Sequence, residues 1–442
     1  MVDHGGRITT AGTSGCMLPE DRAKKETNPG KERNRMATRR SFLIGSALTA
    51  AMSRSAVGAN ERIRLGFLGT GTRGSYMATV AEEFEDCQIL AMCDVYKPYL
   101  EKAVAGLKVS KPDTYTDYRR VLERRDIDAV FIATPDHWHA PMIIEASQAG
   151  KDVYCEKPLS NSIEAGGKAL ETAKRLKRVV QIGLQQRSWD HFQKCCELVQ
   201  SGMFGTIFHC QLHWQGSYTR PKEEPTAPPP DLDWELFQGP APRKPFSPSR
   251  FRSWRSYYDY GGGIITDQGV HVADVVHWYM KVREPRYASA AAQYVNFEPN
   301  PECPPDSFQI AWQYDKFVMS FTNAYMPQTD YLADQGNYFY GTRGVLHVNR
   351  QSYTYRPMPV RGGAGRGQPP APAFEAFNTK FAYVGKPSDS AHIRNWLDCI
   401  KSRGTPTTDI ETGFYSTLPL LLGLLAVRDG KTYYWDGKQA RA

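Results

Sequence analysis

The 442-residue chain lacks the spacings that would nominate a metal centre or a disulfide framework. Its nine cysteines are scattered and no CxxC occurs. The adjacent pair Cys195–Cys196 is a poor bridge, and others sit in apolar runs such as Ile89–Cys93, so the cysteines read as buried thiols. No metal is expected. Long hydrophobic runs are missing too. Leu420–Leu425 is far short of a bilayer span, and no membrane span is expected in the mature protein. Internal repeats are absent. A basic stripe is also lacking, although the formal net charge is +8. Residues 1–59 hold ten Lys or Arg against five Asp or Glu, and the remainder holds 45 against 42. Little positive excess stays with the body of the chain, which excludes a nucleic-acid partner.

What is present suits two domains behind a leader. The length favours two folded units, and 41% hydrophobic with 23% charged residues is ordinary for buried cores. Residues 1–35 are polar without hydrophobic period and read as disordered. Then Arg39-Arg40 precedes a short apolar stretch to Met52, and Val57-Gly58-Ala59 offers small residues for cleavage. That pattern predicts a twin-arginine signal, with Met36 the better start, and a periplasmic or secreted protein. Twin-arginine export carries folded proteins, which suits a chain that must hold a cofactor before crossing. The cysteines then need not pair, because folding finishes in a reducing compartment.

Residues 60–183 read as a dinucleotide-binding domain. Ile63–Leu68 is a short buried strand, followed at once by Gly69-Thr70-Gly71-Thr72-Arg73-Gly74 and a helix over Ser75–Phe84. The first glycine makes the tight turn and the second lets backbone approach a pyrophosphate. The third lets helix and strand pack closely, with the helix N-terminus facing the phosphates. A second strand, Ile89–Cys93, ends in Asp94, twenty residues past Gly74. A carboxylate there accepts from the ribose hydroxyls and repels a 2′-phosphate, so NAD is favoured; nearby Lys97 leaves NADP open. Tyr118–Arg124 and Pro141–Gln148 read as helices, and Ala129–Ala133 and Asp152–Cys155 as strands. This alternation indicates a parallel sheet with crossover helices. Two strand ends carry polar clusters, Thr134-Pro135-Asp136-His137-Trp138-His139 and Glu156-Lys157-Pro158. Ligands bind beyond such ends, so Thr134, Pro135, His137, Glu156 and Lys157 are candidates to line the cofactor; a structural turn is the alternative for the histidines.

These motifs, with a later Thr266-Asp267-Gln268-Gly269-Val270-His271, resemble the Gfo/Idh/MocA oxidoreductases over about residues 62–345. The resemblance implies a Rossmann domain followed by a C-terminal α/β domain, residues 184–442, with a large, mostly antiparallel, open-faced sheet. In that family the sheet often forms the oligomer interface, so a homo-oligomer is expected. The resemblance also implies that Lys157 lies near nicotinamide and substrate, that Asp267 and His271 complete the catalytic group, and that Gln185 sits beside the nicotinamide. A sugar or polyol substrate follows from the same likeness.

Independently of the resemblance, Asp267 and His271 are four apart. If Thr266–Met280 is helical, both leave one face. A histidine accepts the proton when an alcohol becomes a ketone, Lys157 offers a cation to the alkoxide, and Asp267 would hold the imidazole or a substrate hydroxyl. A surface i,i+4 pair is the plain alternative. The Pro-rich stretch 221–250 reads as a stiff loop with hydrophobic anchors, either covering the substrate cleft or packing on the sheet. Arg361–Ala373 reads as an exposed loop. Gly413–Val427 reads as a helix that Pro419 kinks or restarts. Three functions remain in view. One is a sugar dehydrogenase or reductase. Another is a glycosidase or lyase that oxidises a sugar transiently on a retained NAD, distinguished by cleavage without net reduced cofactor. The third is a sugar binder without catalysis, which the presence of Lys157, Asp267 and His271 opposes.

Overall fold

In the computed structural model, residues 62–216, 218, 222–323, 335–358, 377–380 and 385–442 are described. The expected leader and signal (residues 1–59) and the loop expected at Arg361–Ala373 lie outside them.

Short apolar runs build the first sheet. Its strands are β1 (Ile63–Leu68), β2 (Cys87–Cys93), β3 (Asp113–Tyr115), β4 (Ala129–Ile132), β5 (Asp152–Cys155) and β6 (Val180–Ile182). β4 and β5 are buried at every position, as strands covered on both faces are; β4 is wholly apolar, while β5 opens on Asp152, whose carboxylate accepts from Arg403. All pairs are parallel and the order is β3-β2-β1-β4-β5-β6, so the strand order reverses at β1. One cover comes from far along the chain. The helix Gly385–Ser402 lies beyond the expected first domain, yet its Trp396 packs edge-on against Phe131 and Tyr154 at 6.4 and 5.7 Å.

The second sheet contains β7 (Ile207–His213), β8 (Tyr287–Gln293), β9 (Ser307–Gln313), β10 (Val318–Asn323), β11 (Gly336–Gly341), β12 (Gly344–Val348), β13 (Ser352–Pro357), β14 (Phe377–Lys380), β15 (Tyr433–Trp435) and β16 (Ala440–Arg441). The order is β14-β13-β12-β11-β7-β10-β9-β8-β15-β16, and among these pairs β7 with β10 alone runs parallel. β9 alternates buried Phe308, Ile310 and Trp312 with more open neighbours, the signature of a sheet packed on one face. The expected pairing of a Rossmann sheet with a mostly antiparallel one is what the chain forms.

The helix Ile410–Asp429 joins the two sheets. A Cβ on Gly413 would stand 2.3 Å from Ile182 of β6, and one on Gly423 would stand 2.8 Å from Trp312 of β9. This helix is long and apolar enough to cross a membrane by composition, but 72% of its apolar window is buried inside the protein. It runs unbroken through Pro419, without the restart the sequence suggested. Packing on both sides holds it, and the Pro419 carbonyl accepts from Trp312 Nε1 at 2.6 Å.

Four local expectations change. The first helix begins at Thr72 rather than Ser75, so Gly74 lies inside it. The helix expected at Tyr118–Arg124 is shorter, Arg119–Leu122. The one expected at Pro141 starts at Asp136 and includes Pro141, which puts His137 and His139 on its first turns. Thr266–Met280 is two helices, Gly263–Asp267 and Gly269–Met280, separated at Gln268.

Candidate active site

A cleft with about 1110 Å³ of free space, mouth included, opens where β1, β2 and β4 end. Gly69, Gly71, Thr72, Arg73, Asp94, Thr134 and Pro135, all nominated from the sequence, line it. Each glycine has a distinct reason. Gly69 has φ +88, and a Cβ there would strike the Ala133 backbone at 2.7 Å. A Cβ on Gly74 would stand 2.0 Å from the Gly69 carbonyl oxygen. A Cβ on Gly71 would meet nothing within 4 Å, because that residue faces the cleft. Gly71 caps the helix Thr72–Ala81 without any side-chain hydrogen bond, so its first amides have no side-chain acceptor. An uncapped helix end behind a bare glycine fits a pyrophosphate.

Asp94 is held by its own turn. Oδ2 accepts from Thr70 N at 2.6 Å and Thr70 Oγ1 at 3.1 Å, and Oδ1 accepts from Tyr96 N at 2.9 Å. The carboxylate is thus fixed at the cleft wall at the end of β2. Arg73 lines the cleft, but its guanidinium donates to Glu156 at 2.8 Å and to both Asp389 oxygens at 3.1 Å. Glu156 therefore braces the glycine turn through Arg73. His137 and His139 are structural. His137 Nε2 meets the Phe237 carbonyl at 2.9 Å, and His139 meets the carbonyls of Pro158 and Thr134 at 2.7 and 2.9 Å. Burial lowers His137 to a pKa of about 4 and pushes His139 down as well. Gln185 is buried on a short 3-10 turn, with Oε1 unpartnered.

The second cluster centres on Asp267. Its Oδ1 accepts from Lys157 Nζ at 2.6 Å and Arg255 Nε at 3.3 Å. Its Oδ2 accepts from Gln268 Nε2 at 2.8 Å and from the Tyr218 hydroxyl. Lys157 Nζ also donates to the Asp267 carbonyl at 2.9 Å. Burial alone would raise the Asp267 carboxyl, but Lys157 and Arg255 outweigh it and hold the group well below the usual carboxylate range. Burial and the Asp267 charge push Tyr218 well up.

Asp267 thus positions Lys157, where the sequence left it holding an imidazole or a substrate. Among the described residues no hydrogen bond joins His271 Nδ1 to Asp267. The break at Gln268 separates the two residues, and His271 Nδ1 is buried without a partner. Burial, then the charges of Lys157 and Arg350, lower the imidazole well below its ordinary value, so it rests neutral. Asp136 joins this cluster although no motif gave it a role. It is 2% exposed, Oδ2 has no partner, and the glycine at 261 leaves it room, with a Cβ there 3.4 Å from that oxygen. Burial and then the Asp267 charge raise its carboxyl, against the pull of Arg255 and Lys157. Arg255 connects the two regions, since it bonds Asp267 and also lines the cleft.

Sequence reasoning therefore nominated Lys157, Asp267 and His271 and gave no role to Tyr218, Arg255, Gln268 or Asp136, which the structure places around Asp267. The first two reach Asp267 from 49 and 12 residues away through segments without a local pattern. Among the described residues no group of three His, Cys, Asp or Glu is placed to hold a metal ion. The eight described cysteines are buried thiols outside any disulfide.

Known proteins match this architecture in two ways. Solved structures share the fold. The aldose-aldose oxidoreductase from Caulobacter crescentus, complexed with glycerol, aligns with a TM-score of 0.62 at 18% identity over 85% of this chain and all of that one. The WlbA dehydrogenase from Bordetella pertussis, in complex with NADH and UDP-GlcNAcA, aligns at 0.60 and 19% over 84% of this chain and 98% of that one. Curated relatives match a shorter stretch. An alpha-N-acetylgalactosaminidase of Shewanella oneidensis is 32% identical over 168 residues, and a glycosyl hydrolase family 109 protein of Shewanella sp. (strain ANA-3) is 31% identical over 168. Each alignment covers 35% of this chain and 37% of the relative. The model of the Gfo/Idh/MocA oxidoreductase family's NAD-binding Rossmann fold matches residues 63–184, and that of its C-terminal alpha/beta domain matches 171–292. Together they span more than half of the chain, over the glycine turn, Asp94, Lys157 and Asp267, and the chain is a member of the Gfo/Idh/MocA oxidoreductase family, with NAD as the cofactor of its first domain.

Proposed function

We propose that this enzyme moves a hydride at a hydroxyl-bearing carbon of a sugar or polyol. The observation that carries the reading is the buried Lys157–Asp267 pair, linked to the nucleotide cleft by Arg255. When bound, NAD supplies the hydride acceptor. The chain supplies the rest. Lys157, aimed by two contacts from Asp267, stabilises negative charge as the substrate hydroxyl ionises. His271, neutral and with a free Nδ1, takes the hydroxyl proton. Gly69–Gly74 and Asp94 hold the dinucleotide.

A second reading has specific support. The curated relatives are named as glycosidases, and Leu236, Phe237, Phe251, Arg252, Trp254 and Arg255 wall the cleft from the second half of the chain. Oxidation of a sugar carbon in such a cleft would acidify the C–H beside it; loss of that proton would expel the aglycone, water would add across the resulting double bond, and the hydride would return to the carbonyl carbon. One assay separates the two. Purified protein is offered p-nitrophenyl glycosides, including the N-acetyl-α-galactosaminide, and free sugars, while p-nitrophenol and reduced nicotinamide are followed together. Accumulating reduced nicotinamide supports the dehydrogenase. Phenol release without it supports the redox-neutral cycle. Neither signal, with NAD bound, would sink both.

Two further points belong to this proposal. Export by the twin-arginine route rests on Arg39-Arg40 and is tested by processing of the precursor in a strain lacking that pathway. Homo-oligomerisation rests on the ten-stranded sheet, where β9 buries one side and leaves the other more open. Light scattering giving the mass of one chain would reject it.

A further inference from the structure

The glycine turn and the turn after β6 are both held from behind by one C-terminal helix. Asp389 and His392 lie three apart on the helix Gly385–Ser402, so both leave the same face. Asp389 receives Arg73 of the glycine turn through Nη1 and Nη2, each at 3.1 Å. His392 Nδ1 meets the Ser188 hydroxyl at 2.8 Å, on the short turn that also carries Gln185.

Charge does not balance where this helix meets the glycine turn. Arg73 Nε donates to Glu156 at 2.8 Å while its two terminal nitrogens serve Asp389. Glu156 is 6% exposed and Asp389 5%. One guanidinium therefore answers two buried carboxylates, and among the described residues no other cation pairs with either. His392 adds no positive charge, because burial lowers its pKa to about 4. The Lys157–Asp267 pair next along the chain carries one charge of each sign and cancels nothing. A buried surplus of one negative charge is costly to a fold by itself, and a cation brought by a ligand offsets that cost.

The place of the cluster says which end of the cofactor it meets. Asp94, at the end of β2, marks the adenosine side of a dinucleotide laid across the point of strand reversal. β5 and β6 lie on the other side of β1, so the nicotinamide half runs toward their ends. Glu156 directly follows β5, and Gly183 directly follows β6. A Cβ on Gly183 would stand 2.8 Å from Glu156 Oε2, so bare backbone adjoins that carboxylate.

We propose that the surplus negative charge of the Arg73–Glu156–Asp389 cluster favours the oxidised, cationic nicotinamide over the reduced, neutral one, and that Asp389 supplies the surplus. The inference rests on NAD as the cofactor and not on the identity of the substrate. Asp389 does not line the cleft and acts through its charge. When the ring accepts a hydride with its two electrons, its positive charge disappears and the attraction to the cluster disappears with it. The bound reduced ring is therefore the stronger hydride donor, and the equilibrium on the protein leans toward the hydroxyl form of the substrate.

The test compares two affinities. Full-length protein freed of nucleotide is titrated with NAD+ and, separately, with NADH, and tryptophan fluorescence follows binding. Asp389→Asn keeps the shape of the side chain and removes its charge, while the Lys157–Asp267 pair and Arg255 stay as they are. The ratio of the NADH to the NAD+ dissociation constant is expected to fall about tenfold. That is about 30 mV for a two-electron couple, the scale of one buried charge acting over roughly 10 Å in an effective dielectric of about 20. Asp389→Glu restores the charge and is expected to hold the ratio near that of the wild type. Should Asp389→Asn not fold, Glu156→Gln removes the other carboxylate and is expected to lower the ratio in the same way. Two dissociation constants that rise together at a constant ratio would reduce Asp389 to a brace for the glycine turn and overturn the proposal. A ratio that rises would overturn it too.

Discussion

At the scale of single residues, the site divides its charges unequally. Lys157 and Arg255 share one ionised carboxylate, Asp267, and a second carboxyl, Asp136, is buried beside them with an unpartnered oxygen. Replacing Lys157 by Met removes the cation that pairs with Asp267 but touches none of the cleft-lining glycines. Turnover should fall by on the order of 1000-fold with NAD still bound; near-normal rates would end the assignment. Asp136 makes a different prediction. Its folded pKa is raised above its unfolded value, so the folded state binds the extra proton. Stability from this group is complete below the unfolded carboxyl range and declines as pH rises toward the folded pKa. Asp136→Asn, which keeps the shape of the protonated acid, removes that decline. The variant should match wild type near pH 4 and then gain on it by up to about 1.4 kcal/mol per pH unit. Thermal melts at several pH values check this, and a difference independent of pH would contradict it. The acid side belongs to Asp267. Its lowered pKa stabilises the fold above the unfolded carboxyl range, and that contribution is lost only as pH falls through the folded value.

At the scale of elements, the glycine turn separates folding from binding. Gly71→Ala puts a methyl group into the open cleft at a φ of −61, which alanine tolerates. The unliganded protein should change by less than about 1 kcal/mol while NAD affinity drops. Gly74→Ala drives a methyl group into the Gly69 carbonyl and should cost roughly 2 kcal/mol or more of stability besides. Denaturant melts with NAD titrations distinguish them, and equal behaviour would refute the division of roles. This turn was legible in the sequence because strand, turn and helix are contiguous and each glycine answers a local constraint. The start of the next helix was not. Pro141 looked like a first-turn proline, whereas Asp136 in the first turn suits the helix N-terminus, and the proline is carried inside by burial of Trp138, Met142 and Ile143. The break at Gln268 was equally hidden, since the apolar spacing continues across it. Tyr218 and Arg255 meet Asp267 only through tertiary contact, which no periodicity encodes.

At the scale of the whole molecule, the two sheets are bound into one cooperative body by segments that ignore a simple order of domains. The helix Ile410–Asp429 fits Gly413 onto Ile182 and Gly423 onto Trp312, while the helix Gly385–Ser402 completes the core of the first sheet. Neither sheet can open without exposing a face of these C-terminal helices, where Ile393, Trp396 and Leu397 or Leu418, Leu420 and Leu422 are buried alongside polar groups such as Asp389, His392 and Ser416. The buried thiols report on this directly. Cys155 lies in β5 and Cys210 in β7, both fully buried, with burial pushing both thiols well up. Each stays unreactive until its own sheet opens. With rising urea, the two should become labelled by a thiol reagent at the same midpoint, read by peptide mass spectrometry. Gly423→Leu should uncouple them, because a side chain at that position meets Trp312 and Ile310 and lifts the helix from the second sheet alone. Cys210 should then react at lower urea while Cys155 holds. Two separate midpoints in the wild type would mean that the halves unfold independently and that the shared helix transmits nothing between them.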